Sequence, residues 1–343
     1  CTMQRHIVYL IAAAVLFSLF TTQVRAEAWP VERSWTEEEE WLYSQWFARL
    51  ASKSWRSTNK MLHDPEFNSL YDPADNKLFF YADCGDFPYV VRGYYAYKRR
   101  LPYVANYVNG LRYTIRANKT ASTYDNLSHS GSVQSFFGKL TGAHSGNYRT
   151  APEATDSFTY PIAINRRVLR PGMVFYSPNG HVAMVGEVND DGTIKLLDAH
   201  PDQSVTRISF GPKLQVRSRT FSGGFRGIRP AEVINGQAVF VSDNSRVFGY
   251  GLEQYEFKEY YTAVANRLTH VVIDPLFALE KYIREDTFQE VLDRRDSVDR
   301  AWAVGKRRPI QMVGGNIYDD SGDWEDYSSP SRDLRLRLSM LHL

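Results

Sequence analysis

Four short β-rich runs follow one another between residues 172 and 210, and they limit the folds that this chain can adopt. The runs are GMVFYS, HVAMVGEV, TIKLLDAH and SVTRISF, and turn sequences such as PNG and NDDG separate some of them. Parallel strands need crossover connections of a dozen or more residues, which these gaps do not provide. The pattern therefore predicts an antiparallel meander or a small barrel.

A helix is predicted before this region, within SWTEEEEWLYSQWFARL. Thr36 and Glu39 have the spacing of a capping box, in which two side chains bond the first backbone N–H groups. Leu42, Trp46 and Leu50 recur every fourth residue and so form one apolar face. We therefore expect an N-terminal helix that packs through this face.

The next predicted helix follows Cys84. Its apolar positions recur at helical spacing and are Phe87, Val90, Val91, Tyr94 and Tyr95. Pro88 fits the first turn of a helix, where a missing N–H costs little, so the helix is expected to begin as late as Phe87 with Asp86 as its cap. This places the thiol at a helix N-terminus.

Helical periodicity returns beyond residue 252. One segment has Tyr260, Tyr261, Val264 and Leu268 on one face, and the next has Leu279, Tyr282, Ile283, Phe288, Val291 and Leu292. Helices on both sides of an antiparallel strand region predict an α+β fold.

Residues 1–26 have the pattern of a secretory signal. A short polar head is followed by an apolar run from Ile7 to Phe20 and by the small-residue exit Val24-Arg25-Ala26. The run is short for a transmembrane helix, so we predict export to the periplasm or the medium, with an uncleaved membrane anchor as the alternative. Membrane contact is expected only through this segment.

Charge and cysteine content narrow the function further. The chain has 41 Lys and Arg against 39 Asp and Glu without a basic stripe, which argues against nucleic acid as a partner. Of its 2 cysteines, Cys1 lies inside the predicted signal, so only Cys84 would remain and no internal disulfide could form. An unpaired thiol in an oxidising compartment is prone to oxidation. Cys84 is therefore either a nucleophile or a buried, inert side chain.

A nucleophilic cysteine needs a base, and His181 is the best candidate among the histidines. A helix N-terminus favours the thiolate, and the base in turn needs a third group that orients it. If NDDG closes a tight hairpin with residue 188 opposite 193, His181 falls opposite His200 and Asp198 lies one diagonal step away on the same face. Asp198 is preferred as third member because its charge would stabilise the imidazolium. The alternative is that these residues only close a turn and end a strand.

The segment 117–160 is rich in Ser, Thr, Asn and Gly and is predicted to be a long loop. His144, Tyr148 and Arg149 within it are candidates for substrate binding, with a plain linker as the alternative. No metal site is expected, since Asp198, His200 and Asp202 alternate along one strand and lack the convergent partners that zinc requires.

Three stretches resemble the NlpC-like branch of the papain-like cysteine peptidases, which includes the CHAP amidases. They are ADCGDFPYVV, LRPGMVFYSPNGHVAMVGEV and IKLLDAH, within about residues 78–210. The family places Asp-Cys at the start of a helix, Gly-His-Val at the start of a core strand and a polar third member on the next strand. The resemblance implies Cys84 as nucleophile, His181 as base and Asp198, or alternatively His200, as third member. The usual Ser-Gly after the cysteine is replaced by Gly85-Asp86.

The resemblance also implies a fold and an activity. The fold would be a papain-like core, with a cysteine-bearing helix packed on a small antiparallel sheet or barrel and with additional N- and C-terminal helices. The activity would be that of an exported cysteine hydrolase, which cleaves amide bonds in peptidoglycan peptides through a thioester and needs no cofactor. The alternatives are an acyltransferase that uses the same thiol and a non-enzymatic scaffold that binds a partner.

These predictions divide the chain into four parts. Residues 1–26 are the signal, 27–77 an N-terminal helical segment, 78–235 the catalytic core with the inserted loop 117–160, and 236–343 a mainly helical C-terminal region.

Overall fold

The computed structural model describes residues 29–107, 119–124, 133–177, 181–211, 222–271 and 288–309, together with a few single positions between and beyond them. The predicted signal at 1–26 lies outside these residues. None of the described helices combines the length and the apolarity that crossing a bilayer requires.

The described residues form six α-helices and ten β-strands. The helices are α1 Glu37–Leu50, α2 Thr58–Leu62, α3 Phe87–Arg99, α4 Val133–Leu140, α5 Tyr260–Leu268 and α6 Phe288–Gly305. The strands are β1 Tyr103–Tyr107, β2 Lys119–Tyr124, β3 Thr159–Pro161, β4 Val174–Ser177, β5 His181–Val188, β6 Ile194–Ala199, β7 Val205–Ser209, β8 Gly224–Ile228, β9 Ala231–Ile234 and β10 Gln237–Phe240.

Six strands make one antiparallel sheet in the order β3-β8-β4-β5-β6-β7. The four runs singled out in the sequence are β4 to β7, and they form consecutive hairpins. The predicted α+β class and the antiparallel meander are therefore confirmed. The barrel alternative is wrong, because the sheet runs openly from β3 to β7.

Hydrophobic cores cover both faces of this sheet. On one face, Val182 and Met184 of β5 belong to the same cluster of buried residues as Val90 of α3 and Phe47 of α1. On the other face, Ala183 of β5 packs in a second cluster, together with other sheet residues and with Tyr260, Val264 and Leu268 of α5. Alternate residues of one strand thus contribute to two cores, which is the pleat expected of a sheet that is buried on both sides.

Helix α1 begins as predicted and buries Trp46 and Leu50 of the predicted face, but not Leu42. The Thr36 side chain accepts a hydrogen bond from the Glu39 backbone N–H at 3.1 Å, which is half of the predicted capping box. Glu39 itself is buried and accepts hydrogen bonds from Arg99 at 2.8 Å and from Tyr95 at 2.7 Å, both in α3. Leu42 is 39% exposed, so its assignment to the buried face is wrong.

The segment 117–160 is more regular than a loop. Its described parts include β2, α4, a 3₁₀ turn at Ser145–Tyr148 and the start of β3. Phe136 and Phe137 of α4 are fully buried in the core beside α3. Two buried aromatic residues in an otherwise polar stretch anchor this helix, and the prediction of a long loop is wrong for residues 133–148.

The C-terminal region is continuous with the core. β10 lies inside the predicted helical region 236–343, and it pairs with β9 across the predicted boundary at residue 235. Farther along, α5 buries Tyr260 and Val264 on the sheet. The predicted boundary at residue 235 therefore falls in the middle of a hairpin.

Candidate active site

Cys84 lies in a tight turn just before α3, and its side chain is half-buried. The Asp83 side chain accepts a hydrogen bond from the Gly85 N–H at 2.8 Å, and the Asp83 carbonyl accepts one from the Phe87 N–H at 3.1 Å. The turn is therefore held by the residues on both sides of the cysteine, and α3 begins at Phe87 as predicted.

Asp86 does not cap α3 in the way that the sequence suggested. Its carboxylate turns back and accepts a hydrogen bond from the Asp83 N–H at 2.7 Å, while no helix N–H donates to it. Asp86 is buried, and burial raises its pKa well above the ordinary value, with the nearby Asp83 carboxylate raising it further. Asp86 thus occupies the predicted N-cap position, but its side chain closes the turn that holds Cys84 and does not bond the helix N–H groups.

A segment distant in sequence holds this turn through a hydrogen bond. The Tyr148 hydroxyl donates a hydrogen bond to the Gly85 carbonyl at 2.9 Å, and the Tyr148 ring lies 5.6 Å from the ring of Tyr176 in β4. Burial raises the pKa of Tyr148 well above its ordinary value, and Asp86 and Cys84 are near enough to raise it further. Tyr148 therefore connects the cysteine turn to the strand that precedes His181.

The register of β5 and β6 differs from the predicted one and still gives the predicted alignment. Val188 pairs with Ile194 rather than with residue 193, so the predicted turn is wrong by one residue. Gly186 is then left unpaired as a β-bulge, and beyond it Met184 pairs with Leu197. Continued along both strands, this register brings His181 level with His200.

The bulge allows His181 to reach Asp198. The His181 Nε2 atom lies 3.0 Å from the Asp198 Oδ2 atom, and both side chains are buried. His200 Nε2 lies 3.7 Å from the same carboxylate oxygen and 2.8 Å from the Thr206 hydroxyl. Thr206 lies opposite Asp198 in the neighbouring strand β7. Asp198 is thus the residue that contacts both imidazoles, and His200 is held between Asp198 and Thr206.

Chemically, this arrangement places a carboxylate beside one nitrogen of the His181 ring. Because Asp198 lies 3.0 Å from Nε2, its charge can stabilise the protonated form of the ring. Proton exchange with a nucleophile would then run through Nδ1, on the other side of the imidazole. Within the described residues, no group of three or more His, Cys, Asp and Glu side chains is arranged to hold a metal ion.

The segment just before the cysteine turn reaches the loop that follows His200. The Tyr81 hydroxyl, three residues before Cys84, donates to the Pro201 carbonyl at 3.3 Å, directly after His200. Helix α3 packs on the face that carries Val182 and Met184, whereas strand alternation assigns His181 to the other face. A contact between the Cys84 thiol and the His181 imidazole therefore stays a prediction.

The three predicted substrate-binding residues differ in exposure. Tyr148 and Arg149 are buried, and the Arg149 Nε donates to the Tyr176 hydroxyl at 3.0 Å, so both support the site from inside. His144 is exposed and lies beside Gly85, because a Cβ atom on Gly85 would be 2.5 Å from the His144 Cα. Substrate binding stays a prediction, and His144 is the member of the three that a substrate could reach.

Sequence reasoning missed Thr206 and Tyr81. The signal for Thr206 is the short gap between the runs TIKLLDAH and SVTRISF. The gap forms a tight turn, in which the His200 N–H donates to the Ser204 carbonyl, and this turn sets Thr206 opposite Asp198. Nothing local marks Tyr81, whose partner Pro201 is 120 residues away.

No protein-family model matches this chain, and neither curated proteins nor solved structures gave a match.

Proposed function

We propose that this protein is an exported cysteine hydrolase that cleaves amide bonds through a thioester, with peptidoglycan peptides as its substrate class. Cys84 is the nucleophile, His181 the base and Asp198 the residue that orients His181. The proposal extends to a papain-like arrangement of the cysteine helix and the sheet.

One observation carries the proposal: the 3.0 Å contact between His181 Nε2 and Asp198 Oδ2 inside the protein. Placing two ionisable groups away from water is costly unless they interact, and catalytic bases are oriented in this way. The half-buried thiol at the start of α3 supports the same conclusion, because a helix N-terminus favours a thiolate.

The reaction would have two half-reactions. The Cys84 thiol gives its proton to His181 as the sulfur attacks the amide carbonyl, and the backbone N–H of Cys84 donates to the resulting oxyanion. His181 then gives this proton to the leaving amine, which breaks the C–N bond and leaves a thioester. In the second half-reaction His181 takes a proton from water as the water attacks the thioester carbonyl, and it passes this proton to the sulfur as the C–S bond breaks, which releases the carboxylic acid and restores the thiol.

Two alternatives share parts of this site. An acyltransferase would form the same thioester and pass it to an amine, so it differs only in the second half-reaction. A binding scaffold would keep the fold without a reactive thiol.

The direct test is mass spectrometry of purified peptidoglycan fragments incubated with the protein. Wild type should produce new fragments one water heavier in total than their parent, and Cys84→Ala and His181→Ala should produce none. His270→Ala is the matched control, because His270 is exposed and outside the cluster. Turnover by Cys84→Ala would refute the proposal, while amine-linked products without added water would favour the acyltransferase.

Thiol alkylation separates an enzyme from a scaffold without knowledge of the substrate. Cys84 in the folded protein should react with iodoacetamide at neutral pH faster than a free thiol does, and His181→Ala should slow this reaction. Peptide mass mapping identifies the alkylated residue, so it measures the reaction of Cys84 alone. A cysteine that becomes reactive only after unfolding would favour the scaffold.

A further inference from the structure

A cavity of about 570 Å³ opens between the start of α1, the connection from β3 to β4 and the segment 245–249. Cys84, His181 and Asp198 are not among its lining residues. A volume of this size falls in the range of roughly 300–1,000 Å³ that small-molecule sites occupy. The cavity is therefore large enough for a ligand that the proposed hydrolase reaction does not involve.

Arg170 is the unusual residue of this cavity. It is 8% exposed, and its guanidinium lies 4.7 Å from the centre of the Phe248 ring, which belongs to the cavity wall. Among the described residues, no carboxylate lies within ion-pair distance of this guanidinium and no hydrogen-bond acceptor is bound to it. Burial lowers the pKa of Arg170, and the negative charge of the more distant Glu40 offsets this only in part.

The other arginines of the wall have acidic partners. Arg92 holds both carboxylate oxygens of Glu40. Arg246 pairs with Glu232, and the Arg167 guanidinium lies 3.6 Å from the Glu37 carboxylate.

Each of these three pairs is neutral as a whole. Arg170 is therefore the one charged residue of the described wall that has no partner of opposite charge at ion-pair distance. A largely buried guanidinium has lost much of its hydration, and among the described residues no carboxylate at ion-pair distance replaces that water. An anion in the cavity would remove that cost, because the guanidinium offers a planar set of donors that fits a carboxylate. One unbalanced positive charge fits an anion with one negative charge better than a dianion.

The remaining wall combines polar residues, Thr36, Asn165 and Ser245, with four aromatic side chains. Trp35, Tyr43, Tyr160 and Phe248 line it, and they offer flat surfaces for stacking. We propose that this cavity binds a small organic carboxylate, whose negative group pairs with Arg170 and whose apolar, flat body packs on these rings. This site is separate from the proposed hydrolase function and does not depend on it.

The test uses the full chain and two probes of the same shape, benzoate and its uncharged counterpart benzamide. Benzoate should raise the unfolding temperature in a saturable way and benzamide should not. Calorimetric titration should show benzoate binding that weakens at least about tenfold in Arg170→Met, which corresponds to a loss of about 1.4 kcal/mol. Arg170→Lys keeps the charge without the planar donors and should bind with intermediate affinity.

Arg49→Met is the control, since it removes the same charge from an exposed position outside the cavity and should leave benzoate binding unchanged. Circular dichroism shows whether each variant is folded. If Arg170→Met does not fold, the difference between benzoate and benzamide on wild type and the weakened binding of Arg170→Lys decide the question.

Several results would overturn the proposal. They are equal binding of benzoate and benzamide, unchanged benzoate binding in a folded Arg170→Met, and no binding at all at millimolar concentrations. Inorganic phosphate serves as a third probe, and tighter binding of phosphate than of benzoate would overturn the assignment to a carboxylate.

Discussion

Gly85 lies so close to His144 that a Cβ atom at position 85 would be 2.5 Å from the His144 Cα and 2.7 Å from its carbonyl carbon. Both of these are backbone atoms, which cannot rotate out of the way as a side chain can. The residue after the cysteine therefore has to be glycine in this fold, and the position of Cys84 depends on the turn at 144–148.

Gly85→Ala should consequently destabilise the protein and displace Cys84. We expect a loss of about 1–3 kcal/mol in the free energy of unfolding, the usual cost of forcing a methyl group into a filled space. Urea denaturation measures this loss, and the alkylation rate of Cys84 reports the displacement.

Gly138→Ala is the matched control for this change. Gly138 lies in α4, where an added methyl group would have nothing within 4 Å, so alanine should stabilise the helix by about 0.5–1 kcal/mol. A Gly85→Ala protein as stable and as reactive as Gly138→Ala would contradict the close contact between residues 85 and 144.

Asp198 should matter far more for turnover than His200. Asp198→Ala removes the carboxylate that lies 3.0 Å from the His181 ring, and we expect the catalytic rate to fall by about 10²–10⁴-fold. His200→Gln keeps a side chain able to bond Thr206, so we expect a change of less than about tenfold. Steady-state kinetics on a peptidoglycan peptide measures both, and the reverse order would make His200 the third member.

Asp86→Asn should change how stability depends on pH. The pKa of Asp86 is raised in the folded protein by burial, so folding is favoured by the protonated carboxyl. Its contribution is fully present below the pKa of the unfolded chain, and it is lost as the pH rises through the folded pKa. Asparagine stays neutral and can still accept the hydrogen bond from the Asp83 N–H.

Relative to Asp86→Asn, wild type should therefore become less stable as the pH rises from about 4 to about 7. Urea denaturation of both proteins across this range measures the difference between their free energies of unfolding. Titrating groups that both proteins share contribute equally and cancel in this difference. A constant difference in unfolding free energy would show that Asp86 has the same pKa folded and unfolded.

Arg300 should anchor α6 to the sheet. Its guanidinium lies 2.7 Å from the buried Asp202 carboxylate, which also accepts a hydrogen bond from Ser297 of α6 at 3.2 Å. Arg300→Ala leaves this carboxylate without its cation and should cost about 1.5–3 kcal/mol in unfolding free energy.

Arg295→Ala provides the comparison within the same helix. Arg295 is 63% exposed and pairs only with its exposed neighbour Asp296 among the contacts described, so its loss should cost less than about 0.5 kcal/mol. Thermal unfolding separates the two variants, and equal midpoints would mean that α6 is not held through Asp202.

The sequence predicted the regular elements near the site well, because local periodicity determines them. The face of α3 made by Val90, Val91 and Tyr94 is buried as expected, and β4 to β7 form the expected hairpins. The helix α4 was missed because polar residues surround Phe136 and Phe137, and burial of those two rings depends on α3 and not on their neighbours.

The part of the site that sequence could not supply lies in contacts between distant segments. Leu42 has the right spacing for the core, yet Glu39 takes the inner position because Arg99 and Tyr95 of α3 meet it there. In the same way, Tyr148 and Tyr81 reach the cysteine turn and the loop after His200 from far along the chain.

The bulge at Gly186 limits the insertions and deletions that the β5–β6 hairpin can accept. An insertion or deletion of one residue in the β5–β6 turn would shift His181 out of register with Asp198 and His200, unless the bulge gained or lost a residue as well. Loop-length variation in this hairpin is thus expected in compensating pairs, and deletion of Gly186 alone should abolish the proposed hydrolysis, because it shifts His181 relative to Asp198 without replacing any site residue.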